Sequence, residues 1–199
     1  MGSNHFTFST IVFIICAISV GTTLAKEAER LQANWKLCGD ELMAKPSATD
    51  VQVFVSGCEA TNGTDSKCVL YKGTSAIMTI KFKSSEAIPS LERIIAARVP
   101  AAFDKKVEMP YGPAISPCTN SSMVASDGTE CFEDGVDANK SYTYVSSFDV
   151  LKSFPSVQDI ETRIILRQKL DKHRKIRLYR KHPGPTVFCV LVNHIEVAE

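Results

Sequence analysis

Apolar and polar residues alternate with a period of two along much of the chain. Val51, Val53 and Val55 alternate with Gln52, Phe54 and Ser56 before Gly57 and Cys58 end the run. Ala76, Met78, Ile80 and Phe82 share one face, and Thr79, Lys81 and Lys83 the other. Tyr142, Tyr144, Ser146 and Phe148 form a third set, and Ile160, Thr162, Ile164 and Leu166 a fourth that faces away from Glu161, Arg163 and Arg167. Successive side chains of a strand point to opposite faces, so each set predicts a half-buried β-strand. Turn signals separate them at Asn62-Gly63, Lys72-Gly73, Asp127-Gly128, Asp134-Gly135 and Pro183-Gly184-Pro185. That spacing predicts an all-β antiparallel sandwich or barrel. Leu91 to Val99 carries good helix formers, yet its short length and its neighbours favour a strand.

One apolar run breaks the alternation. Ile11 to Val20 is ten residues long, too short to span a bilayer and suited to the core of a signal peptide. Thr23-Leu24-Ala25 supplies small residues for cleavage, so residues 1–25 are read as a signal peptide and 26–199 as one secreted domain. No Lys or Arg precedes the run, and only His5 stands there. Cys16 leaves with this segment, and six cysteines remain: Cys38, Cys58, Cys68, Cys118, Cys131 and Cys189. Two sets of close neighbours, Cys58 with Cys68 and Cys118 with Cys131, lie between Cys38 and Cys189, which bracket nearly the whole domain and so suggest nested disulfides. Six cysteines allow 15 connectivities, so spacing alone does not assign them. Neither C-x-x-C nor zinc-type histidine spacing is present, and no metal is expected. Asn62, Asn120 and Asn139 each open an N-x-S/T triplet in turn-like sequence and are candidate glycosylation sites.

The remaining length, roughly 174 residues, suits one domain with a substantial core. Net charge is +1, which names no partner, but its distribution is uneven. Arg167 to His182 carries eight Lys or Arg against one Asp, leaving the rest of the chain at −6. This segment is a candidate contact for an anionic membrane surface or a membrane acceptor protein, with a solvated hairpin tip as the alternative. No aromatic platform is interleaved with the charges, so nucleic acid is not an expected partner. There is no G-x-S-x-G elbow and no H-E-x-x-H pair, and Glu133-Asp134 reads as solvated loop beside Gly135. No catalytic residue and no cofactor is assigned. The only Trp, Trp35, precedes Cys38, whereas an antibody-type domain sets its Trp between two cysteines.

The motifs between the cysteines resemble the ML (lipid-recognition) domain family. Cys38-Gly39, Val55-Ser56-Gly57-Cys58 and Cys68-Val69-Leu70-Tyr71-Lys72-Gly73 resemble its opening. Val99-Pro100-Ala101-Ala102-Phe103, Cys118, Cys131, Tyr142-Thr143-Tyr144, Phe154-Pro155-Ser156 and Cys189 continue in its order. The resemblance covers residues 36 to 197, and the ordered set is far more specific than any one motif. It implies an immunoglobulin-like antiparallel β-sandwich whose two sheets stand apart around a lipid. It also implies the pairs Cys38 with Cys189, Cys58 with Cys68 and Cys118 with Cys131. The family's sterol-lining positions carry over to Val55, Phe103, Val150 and Phe154, all apolar, with ordinary core packing as the alternative reading of each.

What the resemblance implies is a monomeric lipid-binding and transfer protein that performs no chemistry, acting outside the cell or in the endolysosomal lumen. Its ligand would be a sterol or another apolar lipid. The rival reading is a secreted innate-immunity co-receptor that presents a microbial lipid. Two segments depart from the family: residues 104–117 and 170–186 are longer than the corresponding loops of its sterol-carrying members.

Overall fold

The structure is a computed structural model that describes residues 32–39, 45–59, 67–101, 106–119, 121–128, 135–169 and 184–199. Within these the chain forms β1 (Trp35–Leu37), β2 (Ala48–Val55), β3 (Cys58–Glu59), β4 (Lys67–Tyr71), β5 (Ser75–Ser84), β6 (Leu91–Pro100), β7 (Lys106–Pro110), β8 (Ser121–Ala125), β9 (Ser141–Asp149), β10 (Val157–Gln168) and β11 (Thr186–Ala198). The four alternating sets all lie on strands, with Ala76, Met78, Ile80 and Phe82 buried and Lys81 exposed. Leu91 to Val99 is a strand as well, because β6 finds partners on both edges, β10 and β7. Pairing and burial outweigh its helix formers.

The strands build two layers. One sheet has the order β3-β4-β11-β10-β6-β7, with β1 also on β11; the other has the order β2-β5-β9-β8. One pairing departs from the antiparallel expectation. β4 lies parallel to β11, from Cys68 opposite Ile195 to Tyr71 opposite Ala198. The same edge of β11 holds β1 antiparallel at Val190 to Val192, so a thirteen-residue strand serves two short partners. Alternation reveals which face a residue takes but not the direction of its neighbour.

The sheets face each other over a core that is solid at one end. Ile80, Leu91, Tyr144, Ile164, Leu166 and Phe188 are each at most 1% exposed. The Phe82 ring stacks on Tyr142 at 5.6 Å and meets Phe188 edge-on at 5.1 Å. Apolar burial on this scale is the main stabilising term. Disulfides join Cys38 to Cys189 and Cys58 to Cys68. Cys118 is disulfide-bonded too, and Cys131, its expected partner, lies outside the described residues. At Gly57 the backbone has φ 83°, and a Cβ there would lie 2.6 Å from the Val69 carbonyl oxygen. Only glycine fits the turn that brings β3 onto β4.

At the other end of the sandwich β10 and β11 carry reciprocal bulges. The register slips between Val157 and Ile160, then slips back between Ile160 and Thr162. Asp159 and His194 occupy these irregularities with φ 55° each. Such bulges bend a strand and increase its twist. The bent stretch carries Val157, Ile160, Thr162, Val192, Ile195 and Val197, which border the cavity described next.

Candidate functional site

Beyond the solid core the sheets enclose a cavity of about 300 Å³, within the size range of small-molecule sites. Strand ends from both layers line it. Val55 and Met78 come from β2 and β5, Phe148 from β9, Ile95, Ala97 and Val99 from β6, and Ile160 and Thr162 from β10. No charged residue is among the described lining residues, and the only side-chain hydroxyls are those of Tyr111 and Thr162. Met109, Pro110 and Pro155 are the exposed members of the wall, so the cavity opens beside β7 and the turn after β9. Exposed Val107 and Met109 add an apolar edge to that opening.

The structure places three of the four carried-over positions on this wall. Val55 ends β2 and is 2% exposed. Val150 follows β9, where its amide donates to the Thr74 carbonyl at 2.8 Å and its carbonyl accepts from the Gly73 amide. Phe154 is half-buried in the turn before β10, with its amide on the Leu151 carbonyl at 3.0 Å. Phe103 lies outside the described residues.

Tyr111 is a wall residue that the motifs do not reveal. Its amide donates to the Ile95 carbonyl at 2.8 Å, which fixes its backbone to β6. Its hydroxyl donates to the Asp149 carbonyl at 3.0 Å on the opposite layer. The ring meets Phe148 and Phe154 edge-on at 6.2 and 6.4 Å. Burial, then the neighbouring Asp149 charge, pushes the phenol above its usual pKa, so it remains neutral and a donor at physiological pH. The signal available in sequence was the aromatic in Pro110-Tyr111-Gly112, within one of the two overlong loops.

A row of ion pairs borders the bulges. Lys106 reaches Asp159 at 2.9 Å and Glu161 at 3.1 Å, Arg98 reaches Glu161 at 2.8 Å, and His194 lies 3.3 Å from Asp159. The hydrogen bond from Lys106 holds the Asp159 carboxyl below its ordinary pKa, against a smaller opposing effect of burial. For Lys106 itself burial pulls the ammonium down, and the bonds to Asp159 and Glu161 more than offset this, raising it. The pairs tie β7, β10 and β11 together where the register is broken.

The other candidate surfaces divide. Of the basic segment, Arg167, Gln168 and Lys169 are described, while 170–182 lie outside the described residues. Arg167 is removed from any docking surface, because its guanidinium bonds the 3%-exposed Glu92 carboxylate at 2.8 and 2.9 Å. Gln168 pairs with Leu91 at the solid end, eight residues from Ile160 on the cavity wall, or ~26 Å at about 3.3 Å per residue. Of the sequons, Asn62 and Asn120 lie outside the described residues. Asn139 is exposed, in a turn with φ 63°.

A two-layer β-sandwich, solid at one end and hollow and apolar at the other, is the architecture that the resemblance to the ML domain family implies. Comparison with known proteins agrees with it. Over 106 residues, 53% of this chain, the sequence is 24% identical to NPC intracellular cholesterol transporter 2 homolog a of Drosophila melanogaster. The match spans 61% of that relative's length. The crystal structure of a Niemann-Pick type C2 protein from Japanese carpenter ant superposes with a TM-score of 0.53 at 16% identity, covering 82% of this chain and 98% of that one. At that identity the likeness is one of fold. No family model matches the sequence. Both comparisons support the resemblance to the ML-type, Niemann-Pick type C2-like family that the motifs between the cysteines indicate.

Proposed function

We propose that the protein is a non-enzymatic carrier that holds a sterol or similarly sized apolar lipid between its sheets and passes it between membranes or to an acceptor. The apolar cavity carries this reading. A lipid burying on the order of 400 Å² of apolar surface gains ~10 kcal/mol at ~25 cal/mol/Å², against an association cost of several kcal/mol. Burial alone therefore suffices to retain it. The name of the fly relative, an intracellular cholesterol transporter homologue, supports a sterol as the first ligand to test. Val55, Val150 and Phe154 are assigned to the lipid, with Phe103 as a fourth contact inherited from the motif.

The same reading makes the chain secretory. Its support is the apolar run from Ile11 to Val20 together with the disulfides Cys38–Cys189 and Cys58–Cys68, which persist in oxidising compartments. Asn62, Asn120 and Asn139 are the proposed glycosylation sites, of which Asn139 is exposed in a turn. The basic segment after Arg167 is proposed as a membrane or acceptor contact; Gln168, where its described part ends on β10, pairs with Leu91.

Titration with a fluorescent sterol tests the carrier directly. The purified protein binds it, and Phe154→Asp weakens binding while the thermal transition is retained. Native mass spectrometry of protein from its source shows a co-purified lipid. Absence of binding across sterols, fatty acids and phospholipids overturns the reading.

A further inference from the structure

One polar group stands in the apolar wall without a protein partner. Thr162 lies on the inward face of β10 between Ile160 and Ile164, which are 8% and 0% exposed, and it lines the cavity. Its neighbours across the sheet are Ala97 on β6 and Val192 on β11, neither of which offers a polar side-chain atom. No hydrogen bond joins its hydroxyl to any described residue. The other wall hydroxyl, that of Tyr111, already commits its proton to the Asp149 carbonyl. Thr162 therefore holds the one uncommitted side-chain donor among the described lining residues.

The strand ladder fixes how deep that hydroxyl lies. Thr162 pairs with Ala97, and Ala97 pairs with Met109 on β7, an exposed residue of the opening. Neighbouring strands stand about 4.8 Å apart, so two spacings put Thr162 ~10 Å in from the rim. Ala97, with only a methyl side chain, is what a molecule entering from the mouth passes before it meets Thr162. A purely apolar molecule that covers this hydroxyl takes it from water and gives it no bond in return, which is unfavourable. A molecule with a neutral oxygen at the same depth replaces the lost bond.

We infer that Thr162 is a specificity residue that selects a lipid carrying a neutral oxygen function, a hydroxyl or a ketone, about 10 Å behind the end that stays at the mouth. This rests on the carrier reading and narrows its ligand class from apolar lipids in general to lipids oxygenated twice, with one polar group hydrated at the opening and the other bonded to Thr162. A sterol whose ring hydroxyl remains in water at the opening brings the start of its tail to that depth, which is about the length of its fused rings. A hydroxyl there exchanges a hydrogen bond with Thr162. The unsubstituted tail fills the same space and leaves the Thr162 hydroxyl bare.

Cholesterol and 22-hydroxycholesterol differ by one hydroxyl near the start of the tail, and competition of each against a bound fluorescent sterol tests the inference on the purified protein. Against a wall with no partner to offer, the added hydroxyl weakens binding by about tenfold or more. Here the better-fitting epimer binds at least as tightly as cholesterol. Weaker binding of both epimers overturns the inference, and that comparison needs no variant to fold. Thr162→Val keeps the branching at Cβ and removes the hydroxyl. In it cholesterol gains and the hydroxysterol loses, so their affinity ratio shifts by at least about tenfold, whereas Thr162→Ser retains the hydroxyl and the preference. An unchanged ratio in Thr162→Val overturns the inference as well, by assigning the selectivity elsewhere. If cholesterol binds and both epimers are rejected, Thr162 is refuted and the carrier stands. If neither sterol binds, the inference falls, and the carrier reading falls with it only when fatty acids and phospholipids fail too.

Discussion

The hydroxyl of Tyr111 donates to the backbone carbonyl of Asp149 over 3.0 Å, and because the Tyr111 amide is bonded to Ile95, one residue bridges the two sheets beside the cavity opening. A neutral hydrogen bond contributes about 1 kcal/mol net, a factor of roughly five in the equilibrium between bridged and open forms. Tyr111→Phe keeps the ring contacts with Phe148 and Phe154 and removes only the bridge. Stopped-flow release of a bound fluorescent lipid is expected to speed up by up to about fivefold with the melting temperature little changed. Unaltered release rates would show that the opening lies elsewhere.

The division into solid and hollow halves separates stability from binding. Phe188 is 1% exposed and touches Phe82, so Phe188→Ala costs about 3–5 kcal/mol in urea unfolding without altering which lipid is preferred. Phe154 is half-buried at the rim. Phe154→Ala costs about 1 kcal/mol of stability and shows its main effect as weaker lipid binding in titrations.

Acid sensitivity follows from Asp159. Its folded pKa lies below its ordinary value near 3.8, mainly through the Lys106 hydrogen bond. A depressed carboxylate contributes stability that is fully present above the unfolded pKa and is lost as pH falls through the folded one. Asp159 therefore contributes nothing to any change in stability between pH 5 and 7, and its contribution disappears only below about pH 4. Asp159→Asn keeps a residue that tolerates the positive φ and removes the charge. Urea midpoints of the two proteins should differ at pH 6 and converge toward pH 3; a constant difference would refute the assignment.

Replacing Cys38 and Cys189 together by Ser opens a covalent loop of sequence separation 151. The loss expected is about 2–5 kcal/mol, read as a lower urea midpoint. The cavity wall lies on other segments of β11, so lipid selectivity should be unchanged in protein that remains folded.

Much of this was legible in the sequence because period-two alternation marks faces. Met78 and Ile80 fall inward and Lys81 outward as their positions require. The motif order carried Val55, Val150 and Phe154 to one wall. Alternation is silent on strand direction, so the parallel pairing of Cys68 with Ile195 could not be foreseen. It is equally silent on what an inward residue meets. Ile164 and Ile160 share a face of β10, yet one is packed in the core and the other borders a void. Arg93 reads as one charge among helix formers, and only the opposing sheet, with Ser146 and Tyr144, shows that it points inward.

The half-empty interior also has a thermodynamic consequence. A domain that packs only one end of its sandwich has left part of its own folding free energy to its cargo. Lipid that binds only the folded form stabilises it by RT ln(1 + [L]/Kd), about 2.7 kcal/mol at a hundredfold excess over Kd. The unfolding temperature should therefore climb with lipid concentration, and the delivered-out protein should be measurably the softer one. On the proposed carrier function, loading state and conformational durability then become a single variable, so that any cellular process that reads softness, proteolysis above all, reads whether the cavity has been emptied.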